Sequence, residues 1–188
     1  MKKINVLQLI TGLGIGGAEK VVYDISINID KDKFNNYVVS LSKQNDMLKE
    51  FIDSGISVIS LNKKKSLVDL LCMFIRLVKF VYEKDIDVIH AHMSHSIIVA
   101  TLLKITKPKI KIITTSHSLK MESLCREICL FIFKFLRFKD IVFSERMVRF
   151  FYIKNYEILP NGIDISRYSI NKKRITGLHL YQLEDLKR

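Results

Sequence analysis

Short apolar runs alternate with longer stretches of helical apolar spacing along this chain of 188 residues. The short runs predict seven strands, at 4–10, 37–41, 56–61, 87–91, 110–115, 141–143 and 157–159. The stretches between them predict helices at 18–29, 47–54, 67–82, 96–105 and 119–138. Strict strand–helix alternation is typical of parallel strands joined by right-handed crossovers. The pattern therefore predicts a single doubly wound, Rossmann-like α/β domain.

The charge balance of the chain favours an anionic partner. Its 31 Lys and Arg outnumber its 19 Asp and Glu, for a net charge of +12. This excess suits nucleotide phosphates, nucleic acid or an acidic membrane surface, and no nucleic-acid-binding signature accompanies it, so we expect no nucleic-acid partner. No window of about 18 residues is free of charge, and no secretion leader precedes the first strand. We expect a cytoplasmic location.

Unusual residues follow the predicted strands. Glycines cluster at 12–17 after the first strand, histidines stand at 90, 92 and 95 around the end of the fourth, and Ser116 and His117 follow the fifth. An Asn-Gly-Ile-Asp string at 161–164 follows the last strand. Ligands of parallel sheets bind at the carboxyl ends of the strands. The sequence therefore predicts that these four loops share one site.

The glycine loop has three interpretations. Glycines after a strand and before a helix let backbone N–H groups approach a phosphate. Gly12, Gly14 and Gly17 also satisfy the G-x-G-x-x-G pattern of dinucleotide-binding domains, which would make the chain an NAD(P)-binding oxidoreductase domain. That pattern expects an acidic residue at the end of the second strand, where this chain has Ser-Leu-Ser at 40–42. A purely structural tight turn is the third interpretation.

The histidine-rich segment 90–95 suggests either polar contacts or a metal site. His90 and His92 would share one face of their strand, but only Asp87 is close enough in sequence to add a ligand, so we expect no metal. His90 is a candidate for a hydrogen-bonded core histidine, whereas His92 and His95 would lie nearer the rim. In the segment 114–118, buried hydroxyls need partners, so we expect them to face a ligand or to cap the next helix.

Four segments, in order, resemble glycosyltransferase family 4, the retaining enzymes with the two-domain GT-B fold. They are Gly-Ile-Gly-Gly-Ala-Glu at 14–19, Asp-Val-Ile-His-Ala-His at 87–92, Thr-Ser-His-Ser at 115–118 and Ile-Leu-Pro-Asn-Gly-Ile-Asp at 158–164. The resemblance implies transfer of a sugar from a nucleotide-diphosphate donor to a hydroxyl of a saccharide or lipid-linked acceptor, with retention and without a cofactor or catalytic metal. Cell-surface polysaccharide or glycolipid synthesis is the implied setting.

The resemblance also implies roles for individual residues. Gly16 and Gly17 would approach the donor diphosphate or the transferred sugar, and His117, the candidate catalytic residue, would contact the sugar near the reacting centre. His92, His95 and Ser116 would lie on the acceptor side. The edge of the interdomain cleft would be marked by Asn161, Gly162 and Asp164.

In this family a second domain supplies an Arg and a Lys that neutralise the leaving diphosphate, and a glutamate pair eight positions apart. No Glu of this chain has another Glu eight residues later. Residues 1–168 are therefore expected to form the N-terminal, acceptor-side domain, and 169–188 a tail or the start of a linker. Because leaving-group stabilisation is a large part of such catalysis, we expect the chain alone to be inactive, with a separately encoded C-terminal domain as a candidate partner.

The predicted helix 119–138 is both basic and amphipathic. One of its faces must pack on the sheet, but such a helix also suits an anionic membrane interface. Peripheral contact with the inner face of the cell membrane is therefore a further hypothesis, and a non-catalytic module at the membrane surface is the alternative to an enzyme domain.

Overall fold

A computed structural model describes residues 2–63, 66–117, 123–150 and 156–160 of the chain. Its strands are β1 (Ile4–Ile10), β2 (Phe34–Ser42), β3 (Ser57–Lys63), β4 (Val88–His92), β5 (Lys111–Thr115), β6 (Lys139–Val142) and β7 (Tyr156–Ile158). Its α-helices are α1 (Gly17–Asn28), α2 (Leu48–Asp53), α3 (Leu67–Glu83), α4 (Ser94–Thr106) and α5 (Leu124–Ile132). Two short 3₁₀ turns cover Lys134–Leu136 and Glu145–Met147.

All the strands pair in parallel, in the spatial order β3-β2-β1-β4-β5-β6-β7. The chain builds the sheet outwards from β1 to β3 and then crosses back beside β1 to continue through β4 to β7. The order reverses between β1 and β4, and this is the position at which open α/β sheets form ligand crevices. The predicted doubly wound α/β fold is confirmed.

Two apolar clusters cover the two faces of the sheet. On one face α1 and α2 bury Val22 and Phe51 against Ile10 of β1, and Tyr23 meets Phe51 edge-on with ring centroids 5.3 Å apart. The other face carries α3, α4 and α5, whose buried residues include Leu77, Leu103 and Leu130. They pack on the strand residues Leu7, Ile89 and Ile112. Because helices cover both faces of the sheet, the strands have apolar residues on both faces.

The predicted helix 119–138 is too long at its C-terminal end. Regular helix ends at Ile132, and a 3₁₀ turn follows. The backbone N–H of Phe138 donates to the carbonyl oxygen of Ile112 at 2.7 Å, so the chain must rejoin the sheet before the predicted end. Residues 119–122 lie outside the described ranges. Within those ranges no helix combines the length and the apolarity needed to cross a bilayer.

A buried ion pair ties this turn to the sheet. The guanidinium Nη2 of Arg137 lies 3.4 Å from Oδ2 of Asp140, and both side chains are almost completely buried. The hydroxyl of Thr114 donates to Oδ1 of the same carboxylate. Asp140 therefore joins β5, β6 and the segment that follows α5.

Replacing Asp140 with Asn tests this junction. The change keeps the side-chain volume but removes the carboxylate charge that faces the buried Arg137 guanidinium, so we expect a loss of about 3–5 kcal/mol in the free energy of unfolding. Urea unfolding followed by circular dichroism measures it. The control is Asp85→Asn, which removes an exposed carboxylate paired with Lys2 and Lys107 and should change stability little. Equal losses in the two variants would contradict the assignment.

Candidate functional site

The carboxyl ends of β1, β4 and β5 lie side by side. Ile10, His92 and Thr115 are register partners across these strands. The glycine loop, the start of α4 and the segment after β5 therefore leave the sheet at one level. The hydroxyl groups of Thr11 and Ser96 lie 3.2 Å apart, which joins the end of β1 to the first turn of α4. Three of the four predicted loops thus share one edge, and residues 161–164 lie outside the described ranges.

Three histidines cluster at this edge. His90 and His92 project from the same face of β4, with ring centroids 4.0 Å apart. His117 follows β5, and its Nε2 lies 3.2 Å from Nδ1 of His92. The His117 ring also packs against Phe143, with 5.1 Å between centroids. The structure therefore brings two of the predicted site residues, His92 and His117, into direct contact.

His92 is less accessible than the sequence suggested. Its side chain is fully buried, and its Nε2 lies 2.8 Å from Oε1 of Gln8 in the middle of β1. His117, only partly buried, stands between His92 and the rim. His92 does end β4, nearer the rim than His90, but of the two it is His92 that is fully buried and His90 that is half-buried. A role of His92 on the acceptor side stays a prediction. In this arrangement His92 would act on an acceptor indirectly, through its contact with His117.

Internal hydrogen bonds satisfy the hydroxyls at the end of β5. Thr115 Oγ1 and His90 Nε2 share a hydrogen bond of 2.7 Å, and Thr114 donates to Asp140. The expectation that these two threonines face a ligand or cap a helix is wrong, because both have partners within the sheet. His90 is hydrogen-bonded, as the core interpretation expected, but its side chain is half-buried and not part of the core. Ser116 is buried beside them, and Ser118 lies outside the described ranges.

The environment of the cluster keeps all three imidazoles neutral. Burial, followed by repulsion from His117, lowers the pKa of His90 to about 4. Burial also lowers the pKa of His117 to about 4. The pKa of His92 lies well below its usual value, first through burial and then through its two histidine neighbours. At neutral pH the cluster therefore offers hydrogen bonds but no positive charge.

The turn from β4 into α4 has a strained backbone. Met93 adopts φ 71° and ψ 156°, a conformation that a residue with a side chain rarely takes. Its N–H donates to the carbonyl of Thr115 at 3.2 Å, and its side chain packs on the α1–α2 cluster. These contacts hold the turn in place. His95, in the first turn of α4, is exposed.

Two glycines of the loop make room for the chain itself. A Cβ on Gly12 would lie 2.7 Å from Oγ of Ser42, and one on Gly14 would lie 2.3 Å from Nε2 of Gln44. The backbone N–H of Leu13 donates to the Gln44 carbonyl at 2.7 Å, so the loop is fastened to the segment after β2. The structural interpretation therefore holds for Gly12, which lies against Ser42 and the Cβ of Gln44, whereas a Cβ on Gly14 would meet the flexible amide end of Gln44.

Gly16 and Gly17 differ from the other loop glycines. Gly16 is the N-cap of α1, and among the described residues a Cβ there would meet only the flexible carboxylate end of Glu19 at 2.6 Å. A Cβ on Gly17 would meet no atom of the described part of the chain within 4 Å, and the φ of Gly17 does not require glycine. Packing therefore gives no reason for glycine at position 17. Its N–H lies at the positive end of the α1 dipole, a position that favours an anion.

Sequence reasoning missed two polar residues that the structure places in the site. Gln8 is buried within an apolar strand, and a polar residue inside such a run was the available signal. Gln44 lies in a polar loop and gave no comparable signal. Among the described residues, no group of three His, Cys, Asp or Glu side chains is arranged to hold a metal ion.

The neutral histidines predict a loss of stability in mild acid. Unfolded imidazoles take up protons below about pH 6.5, whereas His90 and His117 resist protonation until about pH 4. The unfolded chain therefore binds more protons between these values, and stability falls as pH falls through this window, by about 1–2 kcal/mol per histidine at pH 5. Urea midpoints at pH 7.5 and 5 measure the loss. His90→Asn should flatten the dependence, and equal wild-type stability at both pH values would contradict the burial.

Comparisons with known proteins agree with this architecture. The family model described as "Glycosyltransferase Family 4" matches residues 15–167. HepE of Anabaena, solved in complex with UDP, superposes with a TM-score of 0.70 at 18% identity, over 88% of this chain and 46% of that one. A glycosyltransferase from Rickettsia africae has a TM-score of 0.70 at 14% identity, over 100% and 50%.

MurG of Acinetobacter baumannii has a TM-score of 0.63 at 6% identity, over 84% of this chain and 45% of that one. The chain thus spans about half the length of each of these solved structures. A search of curated protein sequences finds no match. The fold is that of one half of a GT-B glycosyltransferase, and the family model covers most of the chain. The chain belongs to glycosyltransferase family 4.

Proposed function

We propose that the chain is the acceptor-side half of an enzyme that transfers a sugar from a nucleotide-diphosphate donor to a hydroxyl acceptor. The family match over residues 15–167 carries this proposal. It is supported by the edge of the sheet, where His117 and the open start of α1 at Gly17 flank the topological reversal between β1 and β4. The family assignment favours a nucleotide sugar over a nicotinamide cofactor as the ligand.

The described residues suit the two ends of such a donor. The N–H groups at the start of α1 provide donors for a diphosphate oxygen, and the absence of a Cβ at Gly17 lets that oxygen approach. His117, a neutral imidazole held by His92 and Phe143, suits a sugar hydroxyl near the reacting centre. His95 and Ser116 would then contribute to the acceptor side. The proposed transfer proceeds with retention and needs no metal ion.

The leaving diphosphate also needs positive charge. A neutral histidine cluster does not supply it, so we assign this role to cationic side chains of a second domain. The 188-residue chain by itself should therefore transfer sugar poorly or not at all. The product, in this proposal, is a cell-surface polysaccharide or a glycolipid made on the cytoplasmic side of the membrane.

A surface of the α5 region supports peripheral contact with an anionic membrane. Large apolar side chains of this region are exposed, among them Leu124, Ile128, Phe131, Ile132 and Phe135. The ammonium group of Lys134 lies 4.3 Å from the centroid of the Phe131 ring, so positive charge accompanies the apolar surface. Apolar insertion combined with attraction to anionic headgroups is the usual basis of such binding. A lipid-linked acceptor would be reached from this surface.

Sugar transfer by the chain together with a separately supplied C-terminal domain tests the proposal. Radiolabelled UDP-sugars and lipid-linked or saccharide acceptors should give product with the pair and little with the chain alone. Gly17→Ala should lower kcat/KM about tenfold, the equivalent of one hydrogen bond to a charged group, at an unchanged melting temperature.

Gly55→Ala is the matched control. Gly55 has φ +71°, so alanine there is strained, but the residue lies at the opposite end of the strands, before β3. This variant should lose stability and keep its transfer kinetics. The proposal would be contradicted if the chain with its C-terminal domain neither bound nor transferred any nucleotide sugar. Equal kinetic effects of Gly17→Ala and Gly55→Ala would also contradict it.

Liposome flotation tests the membrane contact. We expect the chain to float with vesicles of phosphatidylglycerol and phosphatidylcholine, less at high salt, and to bind pure phosphatidylcholine poorly. Phe135→Ser should weaken flotation because it removes the most exposed aromatic side chain of the α5 region. Ile52→Ser is the control, since Ile52 is exposed on α2 over the other face of the sheet. Equal flotation of both variants would contradict the assignment.

A further inference from the structure

Gln8 occupies an unusual place for a polar side chain. It lies in the middle of the apolar strand β1, is 2% exposed, and is the register partner of His90. A buried amide costs free energy unless it is hydrogen-bonded. Its Oε1 lies 2.8 Å from Nε2 of His92. Gln8 therefore contacts His92, and His92 in turn contacts His117 at the candidate site.

The two contacts of His92 decide where the imidazole protons sit. An amide oxygen only accepts, so Nε2 of His92 must carry a hydrogen. A neutral imidazole has one N–H, which leaves Nδ1 of His92 as an acceptor. The hydrogen bond of 3.2 Å between this Nδ1 and Nε2 of His117 then requires His117 to donate from Nε2. The remaining nitrogen of His117, Nδ1, is thereby an acceptor.

We propose that Gln8 is a positioning residue that sets the tautomer of His117 through His92. The relay Gln8–His92–His117 fixes Nε2–H on His117 and presents Nδ1 as an acceptor for a hydroxyl hydrogen of the substrate. The second half of this statement rests on the proposed sugar-transfer function, whereas the tautomer is a property of the chain itself. An imidazole with the other tautomer would offer a substrate an N–H instead and would favour a phosphate or carbonyl oxygen.

The surroundings of the relay support a fixed arrangement. Phe143 and His92 pack on the His117 ring, with centroids 5.1 and 5.4 Å away. Burial disfavours the imidazolium form at all three histidines of the cluster. His90 directs its Nε2 to Thr115 and not to His92 or His117. Within the described residues, the hydrogen-bond partners of His92 are thus Gln8 on one side and His117 on the other.

Long-range ¹H–¹⁵N correlation spectra of the ¹⁵N-labelled chain at pH 7.5 read the tautomers directly. For the wild type we expect a protonated Nε2 and an unprotonated Nδ1 on both His92 and His117. Gln8→Met, which keeps the length and removes the acceptor, should lower the tautomer ratio of His117 by about 5- to 10-fold, the worth of one net hydrogen bond. Gln44→Met, at a glutamine in contact with the glycine loop, should leave both rings unchanged.

The wild-type spectrum decides the proposal even where the Gln8 variant does not fold. A protonated Nδ1 on His117 in the wild type would overturn it, as would a folded Gln8→Met chain with unchanged tautomers. The transfer assay distinguishes failure of the relay from failure of the proposed function. If the spectra are as expected but the chain with its C-terminal domain transfers no sugar, the relay is supported and the proposed function is rejected. With transfer, Gln8→Met should lower kcat more than it raises KM, because it changes the hydrogen-bonding character of His117 and not the space around it.

Discussion

Three central strands, β1, β4 and β5, run in parallel with Ile10, His92 and Thr115 at the same level. Side chains two residues apart on a strand share a face, so this register places Gln8, His90 and His92 on one side of the sheet. A shift of one residue in β4 would turn both histidines to the opposite face, into the apolar cluster under α4. The geometry of the candidate site therefore depends on strand register before it depends on any loop.

Buried polar groups reinforce that register. The contacts Gln8–His92, His90–Thr115 and Thr114–Asp140 each join neighbouring strands through side chains. A slipped sheet would leave these groups without partners in a poorly solvated environment, which costs more than each bond contributes when it is made. The same groups that shape the site thus also disfavour alternative pairings of the central strands.

The sequence predicted the fold well because its signals are local. Apolar runs and helical spacing depend on which face each residue buries, and all seven strands were found within a few residues. The C-terminal end of α5 could not be predicted, because it is set by the Phe138–Ile112 hydrogen bond between segments distant in sequence. His92 was assigned correctly to the end of β4 but not to the interior, since its burial depends on Gln8 and His117.

The glycine loop shows the same limit at the level of single residues. Four glycines in six positions predicted a special backbone, but the string alone did not separate Gly12, which lies against Ser42, from Gly17, where no described atom lies within 4 Å of an added Cβ. That separation needs the position of the segment after β2. A glycine points to a ligand only where no described atom of the chain would contact its Cβ. By this criterion the candidate ligand contact of the loop is the start of α1.

The charge state of the histidine cluster determines which part of a substrate this edge of the sheet suits. Burial keeps the histidines neutral, so the cluster itself contributes hydrogen bonds but no positive charge. Hydrogen bonds from neutral groups orient a sugar well, but a departing diphosphate carries charge that they cannot neutralise. Under the proposed function this edge orients the donor sugar and the acceptor, and neutralisation of the diphosphate is the role proposed for a second domain.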